Sequence, residues 1–221
     1  MHRNLPPRRM IFVMTALLVM ASWFVPTATI AYSPAGATPW ADNHANPGTE
    51  NCALSVCLPN DGAAFVSQVL WWGGGYVQTA PKTTNTHDHH FWWEKTVGGG
   101  FAYTDSWGGA QALYDFQILH GPGGVLIAIK PGTSTSSASG IHEGSLFFYD
   151  WTGNGTIDHV AYHAGSGKLD PTSGWVGDVV DQHSTGTTGG PHYRHGFWSD
   201  EPYNPNAAIT KIYLVQISSL N

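Results

Sequence analysis

The clearest periodic segment of the chain begins at Asp61. Asp61 is a good N-cap, Gly62-Ala63-Ala64 can supply a first helical turn, and Phe65, Val69 and Trp72 recur at i, i+4 and i+7 with Val66 and Leu70 alongside. Gly73-Gly74-Gly75 ends this helix and is read as a stop and turn, because no strand precedes it as a phosphate-binding loop would require. A second helix is expected from Ser106 to Leu119, bounded by the glycine-rich stretch that follows His120. Between the two helices, Thr79 to Thr104 reads as a long polar loop carrying His87, His89, His90, Trp92 and Trp93. A weaker helical patch surrounds Trp40 to Ala45, inside a Pro-, Asn- and Gly-rich stretch running from Tyr32 to Asn60.

The second half alternates like sheet. Val125 to Ile129 is a short apolar strand, and Gly132 to Gly140 is a low-complexity connection. Ser145 to Trp151 and Ile157 to Ala164 flank Gly153-Asn154-Gly155, and an Asn-Gly between two apolar runs is a strong hairpin signal. Trp175 to Gln182 and Ala208 to Ile217 are two further strands. Helices first and an antiparallel sheet afterwards predict an α+β architecture.

The remaining apolar run is N-terminal. Met10 to Val25 is uncharged and follows Arg3, Arg8 and Arg9, and small residues lead to Ala31. The run falls short of the roughly 20 residues that cross a bilayer, so residues 1–31 are expected to be a signal peptide, cleaved before Tyr32. That leaves residues 32–221, a length suited to one domain, and an extracellular location. Three of the nine basic residues and none of the fifteen acidic ones precede Tyr32, so the remainder carries six against fifteen, a formal charge of −9. Such a chain is not drawn to nucleic acid or to anionic lipid. It is expected to act as a monomer with no membrane contact after cleavage. Cys52 and Cys57 are the only cysteines, and outside the cytoplasm a disulfide is the default for so close a pair.

Four segments carry a family resemblance. They are Phe65-Val66-Ser67-Gln68, Gly144 to Trp151, Asp158-His159-Val160-Ala161 and Asp181-Gln182-His183-Ser184. Together they resemble the putative amidase domain family, relatives of the NlpC-type and CHAP cell-wall hydrolases. Asp105-Ser106-Trp107 resembles the middle region of the same family, and Tyr32 to Asp42 does so more weakly. The resemblance implies a papain-like fold with an N-terminal helix packed on an antiparallel sheet. It also implies a peptide or peptidoglycan-like ligand. In such a site a Cys at the helix start is the nucleophile, a His on the adjoining strand is base and then acid, and a third polar residue orients that His. The resemblance assigns the His role to His159 and the orienting role to His183.

The family pattern DCTNFVSQ becomes Asp61-Gly62-Ala63-Ala64-Phe65-Val66-Ser67-Gln68, so Gly62 stands at the nucleophile position. Glycine offers no nucleophile, and Ala64 and Ser145 depart from the pattern as well. Three readings follow: a catalytically silent relative that binds a peptide, cell-wall or protein ligand, a cysteine hydrolase that uses Cys57 with His159 and His183, or a metal-dependent protein using clustered histidines. No cofactor is expected, a calcium ion aside. Asp150, Asn154 and Asp158 have the spacing of the first part of a calcium loop, although Ala161 stands where its bidentate Glu would be, and a plain hairpin turn accounts for the same residues. His87-Asp88-His89-His90 suits zinc or copper by ligand type but lacks the spacing of a known site. His192-Tyr193-Arg194-His195 and Phe197-Trp198 are either walls of a ligand site or packing at the end of the sheet.

Overall fold

The helix expected at Asp61 forms and is buried on every side. The computed structural model describes residues 32–46, 53–58, 61–79, 85–120, 123–183 and 193–218, with Tyr193 and Arg194 described by backbone alone. The expected signal segment with its cleavage site, Cys52 and His192 lie outside the described residues. Helix α1 spans Pro34–His44, with Pro34 in the first turn where its missing N–H costs nothing. Helix α2 spans Gly62–Gln68 and runs on through a π-helical turn, Val69–Gly73. All seven residues of α2 are buried, and Gly75 then reverses the chain with a φ of 70°.

The glycine stop is also a packing contact. A Cβ at Gly73 would lie 2.7 Å from Trp40 Cβ and 2.9 Å from Ala37 Cα, so its absence lets α1 lie directly on the end of α2. The hydroxyl of Tyr32, just before α1, donates to the Gly144 carbonyl at 2.7 Å, and Thr38 of α1 shares a 3.0 Å hydrogen bond with Tyr162. These bonds fix α1 to the sheet.

The sheet has six strands: β3 (Gly124–Pro131), β4 (Leu146–Asp150), β5 (His159–Leu169), β6 (Val176–Gln182), β7 (Tyr193–Phe197) and β8 (Lys211–Ile217). Their spatial order is β3-β8-β4-β5-β6-β7 and every pairing is antiparallel. Strand β4 is buried from end to end because both faces are covered, which its unbroken apolar run anticipates. Leu146 and Phe148 pack with the helices, in a core that includes Phe65, Trp92 and Trp107. Phe147 and Tyr149 pack on the other face with Ala138, Phe197 and Trp198. The architecture is α+β. No helix among the described residues is long and apolar enough to cross a membrane.

Three elements differ from expectation. The second helix is broken into α3 (Asp105–Gly108) and α4 (Ala110–Asp115) with a π-helical turn to His120, because Gly109 is extended at φ −118° and ψ 130°. The polar loop contains a hairpin, β1 (Glu94–Val97) with β2 (Gly100–Tyr103), whose tip Gly98-Gly99 has positive φ at both positions. That geometry is what a two-residue hairpin turn demands. Strand β7 completes the sheet next to β6, in a segment too rich in polar residues to show an apolar alternation.

Candidate functional site

Gly62 opens α2 and His159 opens β5, and the two meet. A Cβ at Gly62 would fall 2.5 Å from Cε1 and 2.7 Å from Nδ1 of His159, and 3.2 Å from the Val160 carbonyl oxygen. The imidazole therefore lies in the space that any side chain at position 62 would claim. The ring is held there from two other directions. Its Nε2 is 2.7 Å from Gln182 Oε1, an atom that can only accept, so Nε2 carries the proton and Nδ1 faces Gly62 as a bare acceptor. Trp151 stacks on it with centroids 5.1 Å apart and planes 11° from parallel. Burial pushes the His159 pKa down to about 4, against the hydrogen bond to Gln182 and the charge of Asp61, which favour protonation. At neutral pH the ring is a neutral base with no acidic partner at position 62.

His183 does something else. It follows β6 and lies on the opposite face from Gln182, since strand side chains alternate. Its Nδ1 is 2.9 Å from Asp61 Oδ2, its Nε2 is 2.6 Å from the His44 carbonyl oxygen, and its ring stacks on Phe65 at 4.0 Å. His183 thus joins the end of β6 to α1 and α2. The carboxylate of Asp61, placed at the N-cap of α2, makes no cap bond and is used here instead. The side chain hydrogen-bonded to His159 is Gln182, which sequence reasoning did not single out. Strand alternation was the available signal, because Gln182 shares the face of His159 and His183 does not.

The other candidate residues are dispersed. Cys57 is disulfide-bonded, and Cys52 is the one other cysteine in the sequence. Ser67 is a buried link, donating to the Trp107 carbonyl and accepting from Trp92 Nε1, both at 2.9 Å. In the β4–β5 hairpin the oxygens of Asp150 accept from the Asn154 and Gly155 amides at 3.0 and 2.8 Å. Asp158 accepts from the Trp151 amide at 2.9 Å, and Asn154 Oδ1 from the Thr156 amide at 2.7 Å. These three side chains serve the turn's own backbone. The loop histidines have separate carboxylates: His87 with Asp105, His89 with Asp115 and His90 with Asp88. Among the described residues the ligand atoms that gather within 4.8 Å belong to Asp42, Asp181 and His195. There His195 Nε2 lies 2.7 Å from Asp42 Oδ1, and its amide donates to Asp181 Oδ1 at 2.8 Å, so the group fastens α1, β6 and β7 together.

His159 also borders a cavity of about 460 Å³, whose lining does not include Gly62 and whose size is within the usual range for small-molecule sites. His159 and Gln182 form part of its wall. Tyr149, Trp151, Phe197 and Tyr203 give it aromatic surfaces, and Asp158 and Asp200 bring two carboxyl groups. Burial raises the pKa of Asp200, opposed by hydrogen bonds from Asn204, Thr210 and Trp151. Of the two aromatics foreseen as walls or packing, Phe197 reaches this cavity and Trp198 is fully buried in the core.

Two outcomes follow from the Gly62–His159 contact. Gly62→Ala should lower stability by about 1–3 kcal/mol in chemical denaturation, as overpacking does. Most of that loss should vanish when the change is made in a His159→Ala background, and an equal loss in both backgrounds would refute the contact. The second outcome concerns pH. His159 binds its proton near pH 4 when folded and near its ordinary 6.5 when unfolded, so between these values the unfolded chain holds more protons and stability rises with pH. Its contribution is about 3 kcal/mol, since each tenfold change in proton affinity is worth about 1.4 kcal/mol. That contribution is complete above about pH 6.5 and lost as the pH falls towards 4. Denaturation curves of His159→Gln should be flatter over this window than those of the parent.

No curated protein and no solved structure gives a significant match to this sequence. The family model described as "Putative amidase domain" matches residues 31–202, spanning α1 to the turn after β7 and therefore both Gly62 and His159. On that match the chain belongs to the putative amidase domain family.

Proposed function

We propose that this chain is an exported member of its family that holds a peptide or cell-wall-like ligand in the cavity beside His159 without cleaving it. The observation that carries this reading is the pairing of Gly62 with His159. Acyl transfer needs a nucleophile whose proton the base can take, and the Nδ1 of His159 faces a residue with no side chain. The ring itself lies where a side chain at position 62 would begin. Cys57 is disulfide-bonded and holds no thiol with which to replace one. In favour of a binding site, the cavity beside His159 has a concave shape, aromatic walls and polar groups.

We read the helix start packed on the start of β5 as a papain-like arrangement in which the base outlasts the nucleophile. Export is the reading of the charged start and short apolar run before Tyr32.

One preparation tests both halves. The protein recovered from the medium of a producing cell should begin at Tyr32. Incubated with peptidoglycan fragments and N-acyl peptide amides, it should release no more amine than buffer does, and His159→Ala should behave identically. Turnover that disappears with His159→Ala contradicts the binding-only reading, and a chain retained in the cell with residues 1–31 intact contradicts export.

A further inference from the structure

We infer that the cavity beside His159 recognises a primary ammonium group carried on its ligand, an inference that rests on the binding reading above. Charge is the first indication. Asp200 lines the cavity at 9% exposure, and Asp158 stands exposed at its edge. Among the described residues no Lys or Arg lines the cavity. His159, which does, is neutral at neutral pH because burial pushes its pKa down to about 4. A carboxylate or phosphate entering this space would meet two carboxyl groups and no compensating cation, a strong selection against anions. An ammonium group would meet a carboxylate able to accept charge-assisted hydrogen bonds, and it would relieve the cost of keeping Asp200 ionised in a buried place.

The walls agree with the charge. Tyr149, Trp151, Phe197 and Tyr203 line the same cavity as the two carboxyl groups, and aromatic rings attract cations. They are also held in place before any ligand arrives. The Tyr203 hydroxyl accepts from the Phe197 amide at 2.7 Å and donates to Asp170. The Tyr149 hydroxyl donates to the Trp198 carbonyl at 2.8 Å, and Trp151 is stacked on His159. Fixed walls reduce the ordering cost of binding.

A peptide offers an ammonium from its α-amine or from a side chain, and one series of probes separates the two. Binding of L-alanyl-L-lysinamide to the full secreted chain would be measured by calorimetry at neutral pH. The α-acetylated, ε-acetylated and doubly acetylated forms would follow, with tri-N-acetylchitotriose as a neutral sugar. Double acetylation should weaken binding at least tenfold, and the single acetylation that reproduces this loss names the amine. Asp200→Asn should produce the same loss with the unmodified probe. Should that buried variant fail to fold, the exposed Asp158→Asn serves, with an expected loss of several-fold. Binding indifferent to acetylation, tighter binding of the sugar, or no binding of any probe would overturn the inference. Cleavage of the probe that depends on His159 would defeat the binding-only reading alone, while the contrast between acetylated and free forms still decides the ammonium preference.

Discussion

The contact between the first residue of α2 and the first residue of β5 is the constraint around which the rest of the molecule is arranged. Only a residue without a Cβ can bring the start of α2 this close to the His159 ring and the Val160 carbonyl. The helix behind it is entirely buried, and its apolar side chains Phe65, Val66, Val69 and Leu70 are part of the main core. Loosening the contact would therefore disturb the core and the cavity together, since the same imidazole bounds both. Interiors packed at crystal-like density pass such a strain on to their neighbours.

The chemistry at this junction divides into two histidines with opposite environments. His159 is neutral, fixed by Gln182 and Trp151, and turned with its bare nitrogen to Gly62. His183 sits beside the carboxylate of Asp61 and the His44 carbonyl, tying three elements into one corner. At Gly62 the His159 ring lies where a side chain would begin. The same ring borders a cavity lined by aromatic side chains and two carboxyl groups.

Much of this was legible in the sequence wherever the information was local. The hairpin around Asn154-Gly155, the helix from Gly62 and its glycine stop all formed where expected, because turns and short periods are decided by neighbouring residues, whereas the expected cap bond of Asp61 did not form. The break at Gly109 and the Gly98-Gly99 hairpin were missed although their glycines were visible, since a glycine pair marks a turn without saying which elements it joins. The partner of His159 was displaced by one residue, from His183 to Gln182, and only the strand's face decides between them. The cavity was not legible at all. It joins the hairpin around Trp151 and Asp158 to the segment from Phe197 to Ile209, and only the strand order brings β4 and β5 beside β6 and β7.

The central claim, a buried neutral imidazole with its free nitrogen aimed at a residue that has no side chain, is tested most directly by nitrogen NMR of His159. In uniformly labelled protein at pH 6, the account predicts a proton on Nε2, a bare Nδ1 and no titration of this ring until the pH approaches about 4. A ring found doubly protonated at pH 6, or carrying its single proton on Nδ1, would contradict it.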